Sequence, residues 1–290
     1  MFIPAEALAD WLAKDILSKF CDHFPDAKDE YNEILQSSVH MSIGLLAKCS
    51  ASYHDADHTA MVTQAAQDIL IGKSICGEVS QEDWVHLILA ALFHDIGFCR
   101  NICRADKEEE FVANDLGGLF RPAAGKSDAV FAPYHVDRGM IFVRERFACD
   151  ALVDEDRLAQ AIACTRFPPK DHSVDLHSEP ALLRAADLIG QIADPLYSRK
   201  LTNLFYEMSE LGTAAAQGYK TPGDMVTVFP KFYRGIVAHL LGPAMKYLNE
   251  TGAGQEWVQR LDVLLQEADA GYMTGGPFPV LNQEALLFEK

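Results

Sequence analysis

The stretch VHLILAALFHDIGF, residues 85–98, decides how this chain folds. From Leu87 onward it is apolar on every side of a helix until His94 and Asp95. A helix that is apolar all round is buried, so we expect this helix to be central and its polar pair to be buried near its end. Burying a carboxylate beside an imidazole is costly, and a divalent metal ion is one group that compensates the cost. The alternative for this pair alone is a structural His–Asp hydrogen bond in the core.

Helical periodicity dominates the rest of the chain. Apolar residues recur at i, i+3 and i+4 in almost every long segment, and alternating β-branched runs are nearly absent. We therefore predict an all-α protein with one domain over 1–290 and accessory helices at both ends. Ser80 and Asp83 predict a helix start, and Pro195 predicts a break with Asp194 capping the next turn. The predicted helices are 5–21, 28–49, 58–75, 81–96, 106–117, 135–148, 155–165, 179–210, 224–249 and 254–269.

Composition narrows the classes of function. The 290 residues are 49% hydrophobic, which is enough for a sizeable core, and the formal charge of −17 disfavours a nucleic acid polymer as partner. The seven cysteines are scattered without a CxxC pair, which is typical of reduced thiols, so we expect a cytoplasmic protein. We expect no membrane partner, because no window approaches about 18 uncharged apolar residues. A small anionic ligand would need local cations or a metal ion.

Two further segments carry candidate metal ligands. The stretch SYHDADHTAMV, residues 52–62, places His54 and His58 four positions apart at the start of an apolar helix. The stretch PALLRAADLIGQIADP, residues 180–195, surrounds Asp187 with apolar residues. A helix cap, a pair with Arg184 three positions earlier, or a solvent-facing strip are the alternatives for this carboxylate.

Together these segments supply a mixed nitrogen and oxygen ligand set from three helices: His58, His94, Asp95 and Asp187. Such a set suits Zn, Mn, Fe, Co, Ni or Mg, with water in the remaining positions. Open coordination positions are typical of catalytic rather than structural metal sites.

The order His58, His94–Asp95, Asp187 resembles the H…HD…D signature of the HD-domain metal-dependent phosphohydrolases. The segment YHDADHT resembles the YHNxxHA segment of the class I cyclic-nucleotide phosphodiesterases, and RAADLIGQIADP resembles their CADLxNP segment. The resemblance covers about 50–250, which would form the core of an HD-domain helical bundle, with 1–49 and 251–290 as the accessory helices.

The resemblance also implies roles for individual residues. His58, His94, Asp95 and Asp187 would hold the first divalent metal ion, and Asp95 could bridge to a second. His54 falls where the phosphodiesterases keep the histidine that protonates the leaving oxygen, a role that suits an imidazole with an ordinary pKa near 6.5. Asp55 or Asp57 could orient its ring. His54 and Asp95 are therefore the candidate catalytic residues.

The implied reaction is hydrolysis of a small anionic, phosphate-containing substrate by metal-activated water. The substrate would be a phosphate ester or phosphodiester of nucleotide-like type, although the chain departs from the phosphodiesterase pattern at two places. Phe98 in HDIGFCRN stands where HDxxHPG has its second histidine, and 227–244 contains no purine-gripping glutamine. The candidate substrate-binding residues are Tyr53, His135, Arg138, Gln191 and Phe232.

His135 and Arg138 open a predicted helix, where a phosphate or second metal site is one interpretation. A surface arginine with a histidine near the cap is the other. Two alternative functions follow from the same residues. A mixed-valent di-iron oxygenase resembling the inositol oxygenases would need His135 and a loop histidine, either His172 or His177, at the metals. A regulator that keeps the fold for ligand sensing would need no catalytic histidine.

Overall fold

The computed structural model describes residues 3–169 and 173–271, and these form a helical bundle. The prediction of an all-α protein is confirmed, because the described residues contain only one small sheet, the two-stranded β1–β2. The helices and strands are α1 Pro4–His23, α2 Asp29–Leu46, α3 Ala56–Cys76, α4 Gln81–Phe93, β1 Phe111–Val112, β2 Leu119–Phe120, α5 His135–Phe147, α6 Glu155–Ala163, α7 Glu179–Ile192, α8 Tyr197–Glu210, α9 Thr213–Ala216, α10 Pro222–Phe232, α11 Ala238–Leu248 and α12 Gly252–Asp269.

Helix α4 lies at the centre of the bundle. Every residue from Trp84 to Phe93 is buried, and the helix packs against α2, α3, α6 and α7. The predicted start of α4 is confirmed, because Ser80 and Asp83 form a reciprocal capping box. The helix ends at Phe93, and His94 and Asp95 follow it directly into the interior, where both are buried.

Two glycines allow close backbone contacts that position polar residues. A Cβ atom on Gly190 of α7 would lie 2.8 Å from the Cα of Val62 on α3, so only glycine lets these helices pack this closely. A Cβ atom on Gly97 would lie 1.8 Å from the carbonyl oxygen of His135 at the start of α5. The two contacts bring α7 to α3 and the start of α5 to the end of α4.

The predicted helix at 106–117 is wrong. These residues form turns and β1, which pairs antiparallel with β2 through Phe111 and Phe120. The carboxylate of Asp106 accepts hydrogen bonds from the backbone N–H groups of Ile102, Cys103 and Val112, a local pattern that competes with helix formation. Periodicity could not reveal this competition.

The predicted helix at 179–210 is divided at the expected place. Helix α7 ends at Ile192, and α8 begins at Tyr197, after Pro195. Asp194 accepts a hydrogen bond from the N–H of Leu196 at 2.7 Å and pairs with Lys200 at 2.6 Å, so it starts the new turn as predicted. The predicted helix at 224–249 is also divided, because a π-helical turn at Tyr233–Val237 separates α10 from α11.

Arg138 does not lie in a substrate site, and that prediction is wrong. Its side chain is 0% exposed, and it donates two 3.0 Å hydrogen bonds to Asp106. It also donates to the carbonyl oxygens of Gly97, Cys99 and Val112. Because α5 directs Arg138 into the core, its guanidinium donors bind groups within the protein. They link the β1–β2 hairpin to the segment that follows α4.

Helix α1 packs on α2, while α12 packs on α3, α10 and α11. The predicted limits of a core at about 50–250 and of accessory segments outside it stay predictions. Within residues 3–169 and 173–271, no helix combines the length and apolarity needed to cross a membrane.

We expect Arg138→Met to lower the free energy of unfolding by about 3–5 kcal/mol, because it leaves the Asp106 carboxylate buried without its cation. Urea denaturation followed by far-UV circular dichroism measures this loss. Arg144→Met is the matched control on the same helix, since Arg144 pairs with Asp156 near the surface and should cost at most about 1 kcal/mol. Equal losses in the two variants would contradict a structural role particular to Arg138.

Candidate metal centre and its cavity

Four side chains from three helices converge at the centre of the bundle. His58 comes from α3, His94 and Asp95 follow α4, and Asp187 comes from α7. His58 Nε2 lies 3.4 Å from Asp95 Oδ2 and 3.2 Å from Asp187 Oδ1. His94 Nε2 lies 3.2 Å from Asp95 Oδ2 and 3.8 Å from Asp187 Oδ1. His58, His94 and Asp95 form a buried group that could hold a metal ion.

The hydrogen bonds around this group fit a cation at its centre. His94 Nδ1 lies 2.7 Å from the carbonyl oxygen of Ala91 and therefore donates to it, which leaves a lone pair on Nε2. His94 Nε2 and Asp95 Oδ2 are both shielded from solvent and have no hydrogen-bond partner. Two electron-rich atoms facing each other repel unless a proton or a metal ion lies between them. The donor atoms thus suit a divalent cation.

In the absence of a metal ion a proton takes this place. Burial is the largest influence and disfavours the imidazolium form of His94. The carboxylates of Asp95 and Asp187, with the carbonyl of Ala91, together overcome it and raise the pKa of His94 to about 9. Burial would likewise raise the pKa of Asp95, but the neighbouring histidines hold it well below its ordinary value. Metal binding therefore competes with protons at neutral pH.

The first turn of α3, which carries His58, is capped by a neighbouring acid. Asp55 caps the helix by accepting a 2.9 Å hydrogen bond from the backbone N–H of His58. Asp57 is exposed in the first turn of the helix. The expectation that one of these acids orients the ring of His54 is wrong, because the ring is held by a residue from another helix.

Glu207, on α8, is a candidate functional residue that the sequence did not reveal. It is 4% exposed, and its Oε2 lies 2.7 Å from Nδ1 of His54. Its Oε1 accepts hydrogen bonds from the backbone N–H groups of Tyr53 at 2.6 Å and His54 at 3.4 Å. The sequence carries no signal for this pairing, because Glu207 and His54 are 153 positions apart in the chain.

The environment of His54 favours its protonated form. Burial lowers the pKa, but the carboxylates of Asp95 and Glu207 outweigh burial and raise the pKa of His54 to about 9. Because Nδ1 is engaged by Glu207, Nε2 is the nitrogen left for a ligand. The ring stacks on Phe98 with 4.3 Å between centroids, so the residue that replaces the expected histidine packs against the candidate proton donor.

His135 lies on the other side of Asp95. Its Nδ1 is 2.7 Å from the carbonyl oxygen of Ala132, and its Nε2 is 3.7 Å from Asp95 Oδ1. Burial lowers the pKa of His135, although Asp95 opposes the effect. Asp95 therefore directs one oxygen toward His58 and His94 and its other oxygen toward a neutral imidazole.

A cavity of about 390 Å³ opens beside these residues. Tyr53, His135, Gln191 and Phe232, four of the five predicted substrate-binding residues, line it. The lining also includes His54, His58, Asp95 and Asp187. Helix α7 contributes Arg184, Asp187, Leu188 and Gln191, and much of the remaining wall is apolar.

Of the two loop histidines, only His177 lies among the described residues, and it does not line the cavity. His177 Nδ1 lies 2.9 Å from the hydroxyl oxygen of Tyr247, and His177 is absent from the described lining. His172 lies outside the described residues.

The sequence of this chain matches a family model described as Npun_R2479-like over residues 2–268. The chain belongs to the Npun_R2479-like family. No curated protein and no solved structure matches it. Any function of this Npun_R2479-like protein has to be argued from its site, because the family description states no activity.

The Npun_R2479-like protein, stripped of metal with a chelator, should lose stability between pH 6.5 and pH 9. His54 and His94 have pKa values of about 9 in the fold and near 6.5 in the unfolded chain. Their contribution is fully present below pH 6.5 and is lost as the pH rises through 9. Urea denaturation at intervals of pH measures the slope.

Glu207→Gln tests the origin of that slope. The amide keeps the shape of the side chain but removes the charge that raises the pKa of His54, so the loss with pH should become shallower. A flat or rising stability in the parent protein would contradict the electrostatic account. An unchanged slope in Glu207→Gln would show that Glu207 does not contribute to the pH dependence of stability.

Proposed function

We propose that this protein is a metal-dependent phosphohydrolase that cleaves a phosphate ester or phosphodiester. One observation carries the proposal: His58, His94, Asp95 and Asp187 converge beside a cavity that also contains His54. The resemblance of the same residues to the HD-domain phosphohydrolase signature supports the reaction class. The charges of the cavity support the proposal too. A phosphate ester beside the carboxylates of Asp95 and Asp187 would be repelled unless cationic charge were also present.

The four convergent residues would hold one divalent cation, of Zn, Mn, Fe, Co, Ni or Mg. A second cation would use the other oxygen of Asp95 together with His135. When bound, such a cation supplies Lewis-acid stabilisation of phosphoryl oxygens and lowers the pKa of coordinated water. Asp187 is 22% exposed on the cavity side of the group, which leaves room for a substrate oxygen beside the ligands.

His54 would act as the general acid. Glu207 fixes the proton on Nδ1, so the proton that leaves for the departing oxygen comes from Nε2. Glu207 also stabilises the imidazolium form before transfer. With cationic charge bound nearby, the pKa of His54 would fall from about 9 toward neutrality, which favours release of the proton at physiological pH.

The competing functions find less support in the site. The oxygenase alternative needs a loop histidine at the metals. His177 forms a hydrogen bond with Tyr247 instead, and His172 lies outside the described residues. A sensing module could use the cavity, but it would have no need for an imidazole protonated and oriented by a buried carboxylate. The pair of His54 and Glu207 therefore favours an enzyme.

Metal analysis and hydrolysis of p-nitrophenyl phosphate and bis(p-nitrophenyl) phosphate test the proposal. The protein should bind one or two divalent ions per chain and hydrolyse at least one ester. His94→Ala and Asp187→Ala should lose metal and activity while remaining folded, because a core of this size does not depend on the metal. His54→Gln should keep its metal and lose about 10²–10⁴-fold in kcat.

His177→Ala serves as the matched histidine control and should keep both metal and activity. An absence of bound metal in the parent protein, or ester hydrolysis that survives Asp95→Ala, would overturn the proposal. Turnover that requires oxygen would move it to the oxygenase class.

A further inference from the structure

Arg184 is a buried cation that has no partner among the described residues. It lies on α7, one turn before Asp187, and lines the cavity. It is 3% exposed, and its Nε is shielded from solvent without a hydrogen-bond partner. Within residues 3–169 and 173–271, no hydrogen bond or ion pair involves its guanidinium group. The alternative pair with Asp187 does not form, because Asp187 directs Oδ1 to His58.

An unpaired buried guanidinium lowers the stability of the folded state. The other buried arginine, Arg138, avoids this loss by pairing with acceptors. Arg138 reaches a carboxylate and three carbonyl oxygens. Burying Arg184 without such partners lowers stability unless another interaction compensates. Because the side chain borders a cavity, the missing partner can be a ligand. The planar guanidinium fork matches a phosphate or carboxylate group.

The charges around the cavity limit what that ligand can be. Among the described lining residues, Arg184 is the only Arg or Lys, while Asp95 and Asp187 are the carboxylates. A single phosphoryl group can be balanced by one dication, the protonated ring of His54 and one guanidinium. A triphosphate would bring charge that the lining does not balance.

The remaining lining residues indicate what kind of group the ligand carries besides its anion. Phe167, from the loop after α6, contacts Phe232 of α10 with 5.7 Å between ring centroids. Thr165 and Gln217 add neutral polar groups to the lining. The apolar lining residues include Phe167, Leu188, Leu201, Leu204, Met208, Met225, Val228, Phe229 and Phe232. A flat or branched hydrophobic group would therefore be favoured over a highly charged one.

We propose that Arg184 is the anion receptor for a substrate that carries one phosphoryl group on an uncharged, hydrophobic body, such as an aryl phosphate ester. Identifying that anion with the reacting phosphate rests on the proposed hydrolase function. The site discriminates against nucleoside triphosphates, because a single guanidinium faces the ligand in a wall of apolar side chains.

Binding of phenylphosphonate tests the inference, because its C–P bond resists hydrolysis. Isothermal titration calorimetry compares phenylphosphonate, methylphosphonate and ATP, with Mn²⁺ present and after chelation. Phenylphosphonate should bind more tightly than methylphosphonate, and ATP should bind more weakly than either. Arg184→Gln should weaken phenylphosphonate binding at least about tenfold, since hydrogen bonds to charged groups are lost.

Arg166→Gln is the matched control. Arg166 pairs with Asp137 at 2.9 Å and is absent from the described lining, so its loss should leave phosphonate binding unchanged. The melting temperature of ligand-free Arg184→Gln distinguishes a ligand-binding arginine from a structural one, whose loss would lower it. It should stay equal to the parent value or rise, because the substitution removes a buried, unpaired charge.

The outcomes separate this inference from the proposed function. Phenylphosphonate binding that needs Arg184, in a protein that cleaves no ester, would support the anion receptor and refute the hydrolase. Ester hydrolysis with unchanged KM and phosphonate binding in Arg184→Gln would refute the receptor alone. A lower melting temperature in Arg184→Gln without loss of binding would assign Arg184 to the core, and ATP binding as tight as phenylphosphonate would overturn the substrate class.

Discussion

The absence of a polar face on α4 constrains the rest of the structure. A helix that is buried on all sides must be surrounded, and α2, α3, α6 and α7 surround it. The chain then leaves α4 inside the protein, so His94 and Asp95 enter the interior with it. Burying these two ionisable residues is energetically costly. The neighbouring helices place further potential ligand atoms beside them, and these atoms do not satisfy all of their hydrogen bonds.

The arrangement around Asp95 divides its two oxygens between two environments. Oδ2 faces His58 and His94, and Oδ1 faces His135. Glu207 has different partners. It forms hydrogen bonds with the ring of His54 and with two backbone N–H groups just before the start of α3. The acids that could hold a cation and the acid that contacts the His54 ring thus come from different helices, so each can be substituted without removing the other.

The two buried arginines differ in how far their hydrogen-bond donors are satisfied within the protein. Arg138 and Arg184 both lie on helices next to the site, and both are almost fully buried. Arg138 is saturated with acceptors and links β1 to the end of α4. Arg184 borders a cavity and meets no acceptor among the described residues. Burial alone would not distinguish them, but a count of their partners does.

The sequence by itself determined the helical class, the central position of α4 and the four convergent ligand candidates. These follow from local periodicity and from the cost of placing ionisable groups in apolar segments, both of which can be read from neighbouring residues. It also located the break at Pro195, because proline and a capping aspartate act locally. The role expected of His54 came from the resemblance of YHDADHT to the phosphodiesterase segment.

Only the tertiary structure decided the partners of these residues. The region 106–117 has helical periodicity, but the contacts of Asp106 with the distant Arg138 and with the backbone N–H of Val112 favour a hairpin. Glu207 meets His54 across 153 positions of chain, and Arg184 is left unpaired because Asp187 turns toward His58. The physical reason is the same in each case: a hydrogen bond or ion pair depends on which groups meet in space, and the pattern of one segment does not specify its partner in another.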